Sequence, residues 1–126
     1  MNKGGARAPS QRQLRVAEEV RHVLAHVIER DELHDPGLAG VPVTISEVRI
    51  SPDLKNATAF VSPLGGGDAG LLALAMSRAV PFLRRRLGQE MALRHVPGLS
   101  FQADPSFDEA QRIQELLNTA AGKGDS

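Results

Sequence analysis

The apolar positions of this chain follow two periods, and their alternation outlines the elements. From Gln11 to about Asp31, Val16, Val20, Val23, Leu24, Val27 and Ile28 recur at helical spacing and form one stripe, with Arg12, Arg15, Glu18, Glu19, Arg21 and His22 mostly off it. Ser10 stands where an N-cap belongs, and Asp35-Pro36-Gly37 closes the helix, because the residue before a proline avoids the helical region. The period then shortens to two. Val41, Val43 and Ile45 alternate with polar residues, but Val48 and Ile50 continue in the opposite phase, so a bulge is expected near Ser46-Glu47. Ser51-Pro52-Asp53 reads as a turn, with Asp53 bonding its own backbone. Ala57, Ala59 and Val61 then alternate with Thr58, Phe60 and Ser62, which completes an antiparallel hairpin.

Residues 63–70 are glycine-rich and read as a loop. Helical spacing returns over Leu71–Val80, with Leu72, Ala75, Met76 and Ala79 on one side, and again from Phe82 to about Met91, with Leu83 and Leu87 one turn apart. Between the two stands Pro81. Inside an unbroken helix it would cost about 3 kcal/mol, so a kink is expected over Ala79, Val80 and Pro81. Leu99–Ala103 reads as a third strand. Asp104-Pro105-Ser106 ends it, and Ser106 with Glu109 has the capping-box spacing that opens a last helix to about Asn118, with Phe107, Ile113, Leu116 and Leu117 apolar. The order α-β-β-α-kink-α-β-α predicts an α+β fold, a three-stranded sheet layered on helices. The expected division is a disordered arm over residues 1–10, one domain over 11–118 and a fraying tail over 119–126.

Charge adds what periodicity does not show. Fifteen basic and fifteen acidic residues cancel, yet they are distributed in blocks. Residues 1–30 hold six basic and three acidic groups, and residues 78–94 hold five basic and one acidic; the segments between and after them are acidic. The two basic blocks form one surface if the fold brings them together. Arg84, Arg85 and Arg86 follow the kink, and no acid stands four residues N-terminal to any of them. Leu83 and Leu87 face inward on such a helix, so Arg84 and Arg85 face out, while Arg86 flanks the apolar side and snorkels. With four Phe, no Tyr and no Trp, contacts to nucleic acid would rest on phosphate charge and shape rather than on stacking. The candidate RNA-binding residues are therefore Arg78, Arg84, Arg85, Arg86 and Arg94, with Arg12, Arg15 and Arg21 of the first helix.

Other chemistry finds little footing. There is no cysteine, which suits a cytoplasmic setting and removes thiol catalysis and disulfides. No apolar run approaches the ~20 residues of a membrane span. His22 and His26 lie at i, i+4 without a third ligand at a recognised spacing, so no metal site is expected. Gly65-Gly66-Gly67 lacks the Gly-Lys-Ser/Thr ending of a phosphate loop, and Gly37-Leu38-Ala39-Gly40 and Gly67-Asp68-Ala69-Gly70 do not sit between two helices as an RNA clamp requires.

A run of motifs resembles the ribosome-binding factor A family. It comprises Arg15-Val16-Ala17-Glu18-Glu19-Val20, Asp35-Pro36, Val43-Thr44-Ile45-Ser46-Glu47-Val48, Ile50-Ser51-Pro52-Asp53-Leu54 and Ala57-Thr58-Ala59-Phe60-Val61-Ser62. It continues with Phe82-Leu83-Arg84, Leu93-Arg94-His95-Val96-Pro97, Leu99-Ser100-Phe101, Asp104-Pro105-Ser106, Arg112-Ile113 and Leu116-Leu117. The resemblance spans roughly residues 11–117. It implies a type II KH-like domain in which an interhelical kink, typically Ala-x-Gly, replaces the Gly-x-x-Gly clamp. Ala79-Val80-Pro81 stands there in this chain, with proline in place of glycine. It further implies a non-enzymatic, cytoplasmic ribosome biogenesis factor that binds 16S rRNA of the immature 30S subunit near the decoding region. Such a factor assists late maturation, leaves before translation and supports growth in the cold. No cofactor, small-molecule substrate or membrane partner is implied, and a monomer is expected. Two rival readings are a different KH-like RNA module and a protein adaptor working through a sheet edge or the C-terminal helix.

Overall fold

The computed structural model describes residues 8–30, 33, 35–38, 40–105 and 112–119. Helix α1 runs over Gln11–Glu29, and Ser10 opens it with a reciprocal cap: the Ser10 hydroxyl accepts from Gln13 N, and the Gln13 side chain accepts from Ser10 N. The Ser-x-x-Gln spacing for this box was in the sequence beside the Ser10 cap. A single 3₁₀ turn at Pro36–Leu38 leads into β1 (Val43–Ile50), which pairs antiparallel with β2 (Asn56–Pro63). Strand β1 starts two residues later than expected, and Val41 is exposed. The register slips between Ile45 and Glu47, which places the bulge at Ser46. The bulge has a packing purpose. It lets Ile45 and Val48, three residues apart, both face the core, where a regular strand would have turned one of them to water. The turn closes with Leu54 at φ +62° and with Lys55 N donating to the Asp53 carboxylate at 3.0 Å.

Helix α2 (Ala69–Arg78) begins two residues before its expected start because Asp68 caps it, accepting from Leu71 N at 3.0 Å. Helix α3 (Val80–Glu90) follows after one non-helical residue, Ala79. The break is thus narrower than the expected Ala79-Val80-Pro81: Val80 and Pro81 are already the first two residues of α3. Proline is comfortable in a first turn, where no helical acceptor awaits its missing N–H. In an uninterrupted helix its ring would meet the Ser77 carbonyl, so Pro81 enforces a break that falls just upstream of itself. Strand β3 (Gly98–Ala103) then adds to β2 in parallel, giving the order β1-β2-β3. A parallel neighbour needs a long crossover, and the α2-α3 pair supplies it.

Helices α1, α2 and α3 lie on one face of the sheet: α1 over β1, α2 over β2 and β3, and α3 against α1 and β3. The core beneath them contains Val20, Leu24 and Val27 of α1, Ala57, Ala59 and Val61 of β2, Met76 of α2, and Leu83 and Leu87 of α3. Residues 112–119 are helical, and Ile113, Leu116 and Leu117 are exposed there. The Ser106–Glu109 capping box and residues 1–7 of the N-terminal arm expected over residues 1–10 lie outside the described residues. The α+β architecture and the KH-like element order agree with the sequence reading.

Candidate nucleic-acid interface

The sheet has two distinct ends. Because β2 is antiparallel to β1 and parallel to β3, Ile50, Asn56 and Gly98 share one end, and Val43, Pro63 and Ala103 share the other. The N-terminus of α1 belongs to the first, turn end, since the Gln13 side chain donates to the Ile50 carbonyl at 3.0 Å. Arg12 and Arg15 flank Gln13 on the exposed side of α1. Lys55 lies in the hairpin turn, and its carbonyl accepts from Gly98 N at 2.8 Å, which ties the turn to the segment entering β3. Arg94 precedes that strand by four residues and is exposed. Parallel pairing of β3 thus brings parts of both basic blocks to one end of the sheet.

Arg84 reaches the same segment but is used structurally. Its guanidinium donates to the Pro97 carbonyl at 3.0 Å and to the Val96 carbonyl at 2.9 Å. It staples the middle of α3 to the loop that positions Arg94 and β3. Arg85 points outward and lies over the Phe82 ring, 5.9 Å from its centroid. Arg12, Arg15, Lys55, Arg85 and Arg94 make no ion pair among the described residues. Lys55 was absent from the sequence-derived set because it sits alone in an acidic segment; the tie from Gly98 to its carbonyl is what places it beside the arginines.

Three of the expected RNA contacts are neutralised within the chain. Arg21 pairs with Glu18 at 2.6 Å, and His22 Nε2 lies 2.9 Å from the same carboxylate. Arg86 is largely covered and pairs with Glu90 at 2.6 Å. The acid that neutralises it lies four residues C-terminal, on the side the sequence reading did not weigh. Arg78 makes a two-pronged pair with Asp35, with Nε to Oδ2 at 2.7 Å and an Nη to Oδ1 at 2.9 Å. The Arg78 pair also stands apart. Ile28, Leu33, Leu38, Val43 and Met76 enclose one small space, so the segment after α1 and the C-terminal half of α2 meet at the end of β1 away from the hairpin turn. The 19 residues of α1, about 27 Å long, separate that end from Arg12. The eight arginines therefore do not form one surface.

Arg78, and next the Gly37 N–H at 2.8 Å, hold the Asp35 carboxyl at about 2, below its ordinary 3.8. A carboxyl lowered in this way favours the folded arrangement above its unfolded value and loses that favour as pH falls through its folded one. Acid titration should therefore leave the Gly37 amide resonance undisturbed through pH 4 and move it only as pH approaches about 2. A midpoint near 4 would mean that the pair does not persist in solution.

The break between α2 and α3 presents shape more than donors. Ala79 has φ −91° and ψ 1°, its N–H bonds Met76 O at 3.0 Å, and Pro81 has no N–H to offer. The sheet face opposite the helices is polar, with Arg49 lying over Phe60 at 5.0 Å while paired with Glu47 at 2.9 Å, so that its charge is also balanced.

The comparisons with known proteins agree with the fold. The family described as Ribosome-binding factor A matches residues 12–117. A protein of that name from Paramagnetospirillum magneticum is 55% identical over 115 residues, covering 91% of this chain and 81% of the relative. Another from Phenylobacterium zucineum is 51% identical over 110 residues, covering 87% and 76%. The crystal structure of ribosome-binding factor A from Thermus thermophilus superposes with a TM-score of 0.59 at 26% identity, covering 72% of this chain and 94% of that one. A homology model of the Thermus thermophilus factor, fitted into a cryo-EM map of its complex with the 30S subunit, has a TM-score of 0.54 at 25% identity, covering 68% and 88%. The chain belongs to the ribosome-binding factor A family.

Proposed function

We propose that this protein binds 16S rRNA of the immature 30S subunit and assists late maturation by holding one rRNA conformer, without bond-making chemistry. The observation that carries this reading is the group of exposed cations at the hairpin-turn end, Arg12, Arg15, Lys55 and Arg94, in a chain of zero net charge. Arg85 adds a further exposed cation on α3. A neutral protein with a local cationic surface attracts phosphate in one orientation, while its acidic segments oppose indiscriminate binding. The 30S complex of the Thermus thermophilus factor supports the choice of the small subunit. Tighter binding to one rRNA conformer shifts its population without fuel, which suits a factor needed in the cold, where misfolded rRNA escapes slowly. On this reading the protein acts in the cytoplasm, as a monomer and without a cofactor.

The test is sedimentation of tagged protein with 30S, 50S and 70S fractions at low and high salt. Expected is selective, salt-sensitive association with 30S particles that carry unprocessed 16S rRNA. Equal association with all fractions, or recovery of mainly messenger or small RNA, would overturn the reading. The exposed Ile113, Leu116 and Leu117 favour a second contact, with a protein partner, through the helix at residues 112–119.

A further inference from the structure

Arg78 stands at the end of α2, beside the break that takes the place of the KH clamp. Its guanidinium fork fits a carboxylate and a phosphate equally well. In this chain a carboxylate already fills it. Asp35 takes Nε and one Nη and is itself held in place by the Gly37 N–H. The Asp35 side chain is only 14% exposed, whereas that of Arg78 is 58% exposed. The anion is thus anchored from within and the cation faces outward. Gly37 contributes by its lack of a side chain: a Cβ there would lie 2.9 Å from an Arg78 Nη and 3.1 Å from Asp35 Oδ1. The connector after α1 is fitted around this pair.

We propose that Asp35 is a built-in competitor for the anion site on Arg78, and that this competition limits how tightly the chain holds RNA. The proposal rests on the rRNA reading above, with the RNA extending from the hairpin-turn end to the break beside Arg78. It differs from a merely structural ion pair in its consequence for binding: the arginine nearest the break adds no phosphate contact while Asp35 is charged. Exposed pairs of this type are weak, so removing the competitor should raise affinity by no more than about fivefold. A factor that must leave its RNA gains by such a limit, because an extra phosphate contact slows release.

Salt dependence counts phosphate contacts and so reads the competition directly. With a uridine homopolymer as probe, Asp35→Asn should raise affinity a few-fold and steepen the slope of log K against log salt by about 0.7, one contact to a single strand. Arg78→Ala in the otherwise natural protein should leave the slope unchanged, and Asp35→Asn with Arg78→Ala should return it to the starting value. A natural-background loss of slope on Arg78→Ala would overturn the proposal, since Arg78 would then already touch phosphate. So would an affinity gain from Asp35→Asn that persists without Arg78, which would be a general charge effect. Titration of the same proteins with inorganic polyphosphate, followed through the Arg78 Nε–H resonance, separates this proposal from the rRNA reading. Absence of RNA binding in every protein would sink the rRNA reading. The shift of that resonance, expected at lower polyphosphate in Asp35→Asn than in the natural protein, would still decide the competition, and equal titrations would refute it.

Discussion

Replacing Arg12, Arg15 and Arg94 together with glutamate is expected to abolish 30S co-sedimentation while leaving the fold intact. All three side chains are exposed and make no ion pair among the described residues, so little native structure is lost with them. Each change removes a phosphate contact and adds a repulsion. If the three contact single-stranded rRNA, the salt slope should fall by about 2, and affinity by about two orders of magnitude or more. The control is Arg21, Arg78 and Arg86 to glutamine. These arginines are committed to Glu18, Asp35 and Glu90, so their loss should barely change the slope. The glutamine triple lowers the net charge by three and the glutamate triple by six, so a fall in the control half as large as in the glutamate triple would mean that affinity follows total charge and that the hairpin-turn end is no interface. Arg84 is unsuited to this test, because it holds the Val96 and Pro97 carbonyls and its reversal would disturb the loop that carries Arg94. Circular dichroism of each variant confirms that the fold survives.

The contrast between the two triples marks where sequence reading succeeds. Local patterns were legible. The α1 stripe, the Ser10 cap, the Ser46 bulge and the break before Pro81 each follow from residues within a few positions of one another. The bulge is the clearest instance, because only an extra residue lets apolar positions three apart share a face. Two further local signals were present and unread: Gln13 completing the Ser10 box, and Glu90 four residues after Arg86. The partners of Arg78 and Arg84 were of another kind. Asp35 lies 43 residues from Arg78, and the carbonyls held by Arg84 lie 12 and 13 residues away. Such pairings depend on how α2, α3 and the connectors pack, which no periodicity encodes. The same holds for Lys55, which joins the candidate interface only through the parallel docking of β3 beside the hairpin turn. Charge blocks therefore indicated that a basic surface exists, and the topology decided which cations belong to it.

Leu83→Ala should be among the most destabilising single changes in this domain. Met76 and Leu83 are seven residues apart, two helical turns, so they would share a stripe even on one continuous helix. The break at Ala79 leaves that phase in place and separates the tasks of the two helices: α2 lies on β2 and β3, while α3 reaches α1. Leu83 and Leu87 are fully buried there, in one cluster with Val20, Leu24 and Val27. Truncating Leu83 removes apolar burial and leaves a cavity between elements that are tied from several sides, including the Arg84 staple one residue on, so collapse around the gap is limited. The expected cost is about 3–5 kcal/mol, a large share of the stability of a domain this size. Leu71→Ala, on the outer side of α2 at 64% exposed, should change stability by less than about 0.5 kcal/mol. Chemical denaturation of the two variants measures the difference. Similar midpoints would mean that α3 is not seated on α1 and that the break at Ala79 does not orient it as described.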